Sequence, residues 1–231
     1  MNIHYLQHVP FEDLGSMENY FRTHHHVLSS TQLYQDEPLP SQNDFDWLIV
    51  MGGPMGVYDE EKYSWLSAEK AFIKETIASG KRVLGVCLGA QLIAEVMGAQ
   101  VKKGAHREIG WHPINATEAF KQSGFPSFFP DKAQVFHWHG DMFDIPQHAI
   151  PLASSAACPN QGFIFDHRVV GLQFHLEKTY KSASALIEHC SDELDGSTYV
   201  QSANTMLEGP QRFDDINEMM QRLLVAVESS T

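Results

Sequence analysis

Positive charge is scarce in this chain. Sixteen lysines and arginines stand against 29 aspartates and glutamates, for a net charge of −13. With no basic block either, the composition argues against nucleic acid and anionic membrane surfaces as partners and leaves small polar substrates open. Cysteine is scarce too. Cys87, Cys158 and Cys190 have neither metal-ligand spacing nor the density of a disulfide framework. A reducing cytoplasm is the simplest setting. No apolar stretch approaches the roughly 20 residues of a membrane span. Met1-Asn2-Ile3-His4-Tyr5 lacks the charged-then-apolar plan of a secretory leader. There is no Gly-x-x-x-x-Gly-Lys phosphate loop, internal repeat or low-complexity linker. His24-His25-His26 has no ligand-spaced partner, and neither a metal nor a cofactor is expected.

The 231 residues suit one domain, 1–231, with the last part, about 180–231, as a C-terminal helical extension. Apolar runs predict strands over Ile3–Leu6, Trp47–Met51, Arg82–Val86, Gln134–His139 and Val169–Phe174. Several are apolar throughout, as parallel strands covered on both faces require. Helical spacing predicts helices over Trp65–Ser79, with Gly80 as a C-cap, Leu88–Met97 before Gly98, and Phe213–Val227. Glu188–Gly209 reads as a short helix and loop. This alternation predicts an α/β fold. Its sheet is doubly wound and mostly parallel, with helices on both faces and the site at the strands' C-terminal ends.

Cys87 lies where the strand Arg82–Val86 meets the helix beginning at Leu88, between Gly85 and Gly89. This is a Gly-x-Cys-x-Gly form of the nucleophile elbow. The glycines permit a sharp turn, and the helix N-terminus favours a thiolate. A buried structural cysteine is the plain alternative, against which the flanking glycines weigh. Downstream, a strand ends in His175-Leu176-Glu177. His175 and Glu177 fall on the same side of an extended chain, where a carboxylate can orient an imidazole. An imidazole facing a thiol can take its proton and return it to a leaving amine. Gly52-Gly53-Pro54-Met55-Gly56 follows another strand end. It is either an ordinary turn or a source of backbone N–H groups for an oxyanion, with Pro54 unable to donate. Gln91 is one helical turn beyond Cys87. His137 and His139 share a strand face and are assigned to packing or to shaping a substrate site. Cys158 and Cys190 lack the glycines and are read as structural.

Met51-Gly52-Gly53-Pro54-Met55-Gly56, Gly85-Val86-Cys87-Leu88-Gly89-Ala90-Gln91 and Gln173-Phe174-His175-Leu176-Glu177 together resemble the class I, triad-type glutamine amidotransferases. Arg107-Glu108-Ile109-Gly110-Trp111, Trp138-His139-Gly140-Asp141 and Asn160-Gln161-Gly162-Phe163 are similar to the stand-alone, GMP-synthetase-like branch. The resemblance runs from about residue 40 to 180 and implies a flavodoxin-like fold. It implies a catalytic triad of Cys87, His175 and Glu177, and an oxyanion hole at the N–H groups of Gly53 and Leu88. Substrate contacts fall to Gln91, Asp141 and Trp138. Leu176 stands where that family usually has proline, and the spacing of the pair is kept. The implied reaction is hydrolysis of glutamine to glutamate and ammonia through a γ-glutamyl thioester. A synthetase partner would accept the ammonia, or the enzyme would act alone, on glutamine or another small γ-glutamyl compound such as a γ-glutamyl peptide. A non-catalytic regulatory subunit and a redox-active cysteine protein are the other readings.

Overall fold

The computed structural model describes residues 1–230. In chain order the elements are β1 (Asn2–Gln7), α1 (Ser16–Thr23), β2 (Val27–Gln32), β3 (Trp47–Val50), α2 (Trp65–Ala78), β4 (Arg82–Val86), α3 (Leu88–Val96) and β5 (Val101–Ala116). Then follow α4 (Glu118–Lys121), β6 (Lys132–Phe143), β7 (Ile150–Pro151), β8 (Ala153–Ser154), β9 (Gly162–Phe165), β10 (Val169–Leu172), α5 (Tyr180–His189), α6 (Ala203–Leu207) and α7 (Gln211–Ser229). Seven strands form the main sheet in the order β2-β1-β3-β4-β10-β9-β7, parallel from β2 through β10, with β9 and β7 antiparallel at one edge. A second, three-stranded antiparallel sheet has the order β6-β5-β8. Among the described residues no helix is long and apolar enough to cross a membrane.

The apolar runs are explained by two cores, one on each face of the main sheet. Trp47 and Ile49 of β3 pack in one core, with Met17 and Phe21 of α1 and the apolar stripe of α7. Leu48 and Val50, which alternate with them, pack in the other with Leu66, Phe72 and Ile73 of α2 and Leu92 and Ile93 of α3. Successive side chains of a strand point to opposite faces, so a strand covered on both faces is apolar at every position. The helix ends follow the glycines. Gly80 and Gly98 sit at φ 83° and 89° just past α2 and α3, the left-handed conformation glycine adopts at low cost. Arg82 at the start of β4 satisfies the end of α7, its Nε donating to the Val227 carbonyl at 2.9 Å.

Two features differ from the sequence expectation. The strand expected at Gln134–His139 is part of β6 and belongs to the second sheet. Its long partner β5 is polar over its first half and carries no strand pattern there. The β5–β6 register shifts between Lys103 and Glu108, a bulged stretch that interrupts any alternation. β2, largely exposed at the sheet edge, was also not expected because an edge strand needs little apolar sequence.

Leu223 is fully buried on α7, within the core that joins the helix to the main sheet. Leu223→Ala should cost about 2–5 kcal/mol, the range for removing a buried leucine side chain. Urea unfolding followed by circular dichroism measures it, and a loss under about 1 kcal/mol would mean that α7 adds little to the core.

Candidate active site

The site is built around the elbow. Cys87 has φ 53° and ψ −108°, a conformation that costs a non-glycine residue about 1–3 kcal/mol. Hydrogen bonds hold it there. Its N–H donates to the Leu172 carbonyl of β10 at 2.7 Å, and its carbonyl accepts from the Gln91 N–H at 3.1 Å. The flanking glycines let α3 lie against the sheet. A Cβ on Gly89 would fall 2.0 Å from the Val50 carbonyl oxygen, and one on Gly85 would fall 2.5 Å from the Gly89 carbonyl carbon.

His175 arrives from the next strand. Beyond β10 its N–H donates to the Phe136 carbonyl of β6 at 2.8 Å, so the backbone at His175 bridges the two sheets. Its Nδ1 lies 2.7 Å from Glu177 Oε1, and both side chains are 1% exposed. The other ring nitrogen, Nε2, is buried without a hydrogen-bond partner. The ring lines a small cavity of about 20 Å³ together with Cys87, Gly53 and Trp138. Leu176, in the place of the expected proline, is buried, and its carbonyl accepts from Asn217 Nδ2 of α7 at 2.9 Å. The His175–Glu177 pairing therefore holds with leucine between the two.

Two charged residues behind the pair were missed in the sequence. Lys178 is buried, with Nζ 3.3 Å from Glu12 Oε2 and 3.8 Å from Glu177 Oε1. Burial opposes its charge, but the Glu12 and Glu177 carboxylates outweigh that and hold its pKa above the ordinary value. Burial likewise opposes the Glu177 charge, and His175 and Lys178 together pull its pKa below the ordinary value. Cys87 goes the other way from the sequence expectation. Burial pushes its thiol pKa up and Glu12 adds to this, against the smaller opposing pulls of Lys178 and the Leu88 N–H. Helix N-terminus and ammonium do favour thiolate, but desolvation wins in the resting site. Cys158 and Cys190 are also buried and raised, chiefly by burial, to about 11 and about 12.

The Gly52–Gly53 loop packs beside the elbow. A Cβ built on Gly52 would lie 3.6 Å from Cys87 Cβ, and one on Gly53 would lie 3.1 Å from Leu88 Cδ2. His8, a further residue missed in the sequence, braces this loop from behind. Its Nδ1 lies 3.0 Å from the Gly52 carbonyl oxygen and its Nε2 lies 2.8 Å from Glu69 Oε1. Both ring nitrogens face acceptors. Burial opposes the imidazolium, but Glu69 and the carbonyl outweigh it and raise the His8 pKa. Peptide planarity then turns the Gly53 N–H away from His8, opposite to the Gly52 carbonyl.

A second, open cavity of about 660 Å³ also meets the elbow, lined by Gly53, Cys87, Gln91, Trp138, Asp141 and residues 103–107 of the β5 bulge. Gln91 is buried, and its Nε2 donates to Gln173 Oε1 at 3.1 Å, while Gln173 Nε2 lies 3.8 Å from Cys87 Sγ. Gln173 belongs to the motif read in the sequence, but its contact with the sulfur was not foreseen. The Trp138 carbonyl accepts from Cys87 Sγ at 3.4 Å. Asp141 Oδ2 accepts from the Tyr58 hydroxyl at 2.7 Å across the cavity mouth, and that bond is the main reason the Tyr58 pKa rises to about 12. All eight residues expected at the site line one or both cavities or flank them directly, whereas His24, His25 and His26 lie apart on the α1–β2 connection.

A doubly wound α/β sheet presenting a strained cysteine elbow beside a buried His–Glu pair defines the class. The particular family follows from comparison with known proteins. The model of the glutamine amidotransferase class-I family matches residues 14–192, and the chain belongs to that family. It is 33% identical over 231 residues to the glutamine amidotransferase-like protein YfeJ of Salmonella typhimurium, covering 97% of this chain and 96% of that protein. It is 31% identical over 163 residues to the glutamine-hydrolyzing GMP synthase of Bacillus subtilis, covering 68% of this chain and 28% of that protein. A crystal structure of a glutamine amidotransferase from Thermotoga maritima superposes with a TM-score of 0.87 at 34% identity, over 99% of both chains. One from Methylobacillus flagellatus gives 0.92 at 26% identity, over 99% of this chain and 94% of that one.

Lys178→Met removes the ammonium that lowers the Cys87 pKa and leaves the Glu12 and Glu177 carboxylates, which raise it. Both changes have the same sign. The pH at which iodoacetamide alkylates Cys87 should therefore move upward, and breaking the buried pair should cost about 3–5 kcal/mol of stability. An alkylation profile that stays in place or moves down would show that Lys178 does not act on the sulfur.

Proposed function

We propose that the chain hydrolyses the side-chain amide of glutamine through a γ-glutamyl thioester on Cys87. The observation that carries this reading is the 2.7 Å His175–Glu177 contact, which leaves the opposite ring nitrogen in the small cavity it shares with the elbow cysteine. The resting thiol is neutral, so His175 Nε2 takes its proton as the sulfur bonds to the amide carbon. The N–H groups of Gly53 and Leu88 receive the developing oxyanion. His175 returns the proton to the amide nitrogen, the carbon–nitrogen bond breaks and ammonia leaves. Water then attacks the thioester, with His175 as base, and glutamate departs with the thiol restored. Glu177 holds the ring tautomer and supports the imidazolium. The small cavity has room for about one water molecule, which suits either ammonia or the attacking water. Gln91, Trp138 and Asp141 hold the amino-acid end of the substrate in the open cavity.

The curated GMP synthases carry the matching region as a minor part of longer chains. Here the ammonia passes to a synthetase on a separate chain, or the reaction ends at glutamate. The open cavity favours one second reading. Its 660 Å³ falls in the range of about 300–1,000 Å³ typical of drug-sized ligands. That volume suits a γ-glutamyl compound with a larger leaving group, cleaved by the same triad. A non-catalytic regulatory subunit would have no use for a strained cysteine, so that reading has less support.

Cys87→Ala should abolish release of ammonia or amine while circular dichroism stays unchanged, and undiminished turnover would remove Cys87 as the nucleophile. His175→Ala should lose at least the roughly 10²–10⁴-fold of positioned acid–base catalysis, and Glu177→Gln less, because the base remains. A slower Glu177→Gln than His175→Ala enzyme would contradict these roles.

Asp141→Asn tests recognition of the α-ammonium group. It should lower kcat/KM for glutamine by about 1.5–3 kcal/mol, the scale of a hydrogen bond to a charged group. A reactive thioester without an α-amino group should be spared, because it makes no such contact. Assaying both with a panel of γ-glutamyl amines also separates the two substrate readings. Equal losses on glutamine and the thioester would assign Asp141 to structure.

A further inference from the structure

Glu108, His137 and His139 form a buried cluster on the second sheet, and His139 also lines the open cavity. Glu108 pairs directly across from His139, and His137 lies two residues before it on the same face of β6. Glu108 Oε2 is 3.2 Å from His139 Nε2 and 3.5 Å from His137 Nδ1. The outer nitrogens fix the tautomers. His139 Nδ1 lies 3.0 Å from the Asp141 carbonyl oxygen, and His137 Nε2 lies 3.3 Å from the His112 carbonyl oxygen. A carbonyl only accepts, so those nitrogens carry the protons. In a neutral imidazole the other nitrogen then presents a lone pair, and here both of those nitrogens face the Glu108 carboxylate.

Convergent acceptors repel one another unless a cation lies among them. Gln161 Nε2 at 2.7 Å and Ser155 Oγ at 3.0 Å donate to Glu108 Oε2 and relieve this only in part. Glu108 Oε1, His137 Nδ1 and Gln161 Oε1 are all buried with no hydrogen-bond partner. The three donor atoms all lie within 4.8 Å of one another, and the separations from Glu108 Oε2 are close to those of neighbouring ligands on one ion. A tetrahedral zinc ion with bonds of about 2.0–2.1 Å sets its ligand atoms about 3.3–3.4 Å apart. Histidine ligands of metals characteristically donate their outer N–H to a backbone carbonyl or carboxylate, as both rings do here.

We propose that Glu108, His137 and His139 bind one divalent transition-metal ion, zinc by the chemistry of two imidazoles and a carboxylate. This departs from the assignment of the two histidines to packing or to shaping the substrate site, which was made without Glu108 in view. The fourth position is left to water or to a neighbouring oxygen. The ion is structural. Trp138 lies between the two histidines in sequence, and its carbonyl contacts Cys87 Sγ; the Asp141 carbonyl accepts from His139. The ion thus ties β5 to β6 where β6 forms the wall of the substrate cavity.

The test uses the full chain without an affinity tag, both wild type and Cys87→Ala, so that the thiol is excluded as a ligand. Protein stripped with dipicolinate is titrated with Zn²⁺ against a chromophoric chelator that outcompetes weak surface sites such as His24-His25-His26, and with Co²⁺ followed by visible absorption. Both proteins should take up one equivalent of Zn²⁺ and raise their melting temperature with it. Co²⁺ should give tetrahedral bands without a thiolate charge-transfer band. Glu108→Gln and His137→Gln should each weaken Zn²⁺ binding by at least about 100-fold, the upper end for loss of even an outer-shell partner. Failure of the folded parent to bind one equivalent would overturn the site and leave an imidazolium–carboxylate pair. Unchanged binding in the folded variants would overturn it equally, by locating the ion elsewhere. Where a variant does not fold, the parent's stoichiometry and cobalt spectrum decide. None of these readouts depends on turnover.

Discussion

The backbone of Cys87 is the constraint on which the site depends. A non-glycine residue at φ 53° is held only where its surroundings over-determine it. Here the restraint comes from a strand on one side and a helix on the other, through the bonds to Leu172 and Gln91. That arrangement requires α3 to lie almost on the sheet, which in turn requires a hydrogen at the Cβ positions of Gly85 and Gly89. The sulfur is thereby directed to the C-terminal edge of the parallel strands. In open α/β sheets, the crevice beyond that edge is where ligands bind.

Polar side chains run from that point in a buried row: His175, Glu177, Lys178 and Glu12. Each member is buried, and burial alone would neutralise Glu177 and Lys178. What keeps Glu177 and Lys178 ionised is that each faces an opposite charge within 4 Å. Cys87 has no such partner of its own, so desolvation prevails and the resting thiol is protonated. A neutral thiol next to an imidazole oriented by a carboxylate is protected from adventitious oxidation, because the thiolate is the reactive form. In the proposed reaction such a pair is armed only when substrate arrives and proton transfer accompanies attack.

Legibility in the sequence followed range along the chain. The elbow, the Gly-Gly-Pro loop and the His-x-Glu pair are each contained in a few consecutive residues, and each was visible as a pattern. The buried strands and α7 were visible because two-faced burial and helical spacing leave periodic signatures. Glu12 with Lys178, His8 with Glu69, and Glu108 with His137 and His139 left no such mark. Each joins residues from separate elements that only the tertiary fold brings together. β5 was missed for another reason. Its first half faces solvent and the cavity mouth, and its bulge at residues 103–108 breaks the alternation on which strand reading relies. Gln134–His139 was legible as a strand, but the second sheet it belongs to was not, since its partner β5 had not been seen.

The second sheet changes what the main sheet alone would offer. The parallel strands supply the sulfur and carry the chain to His175, but His175 is fastened to β6 through the Phe136 carbonyl. The same strand, two residues on, contacts the sulfur through the Trp138 carbonyl, and three residues further it contributes Asp141 to the cavity. One strand therefore sets the position of the histidine and of the substrate wall together. A shift of β6 along β5 would displace both at once, whereas the elbow, held by β4, β10 and α3, would stay where it is. The elements that align nucleophile with base are thus separate from those that hold the nucleophile itself. On the proposed mechanism, anything tying β6 to β5 near Glu108 acts on the geometry of the site without touching the reacting atoms.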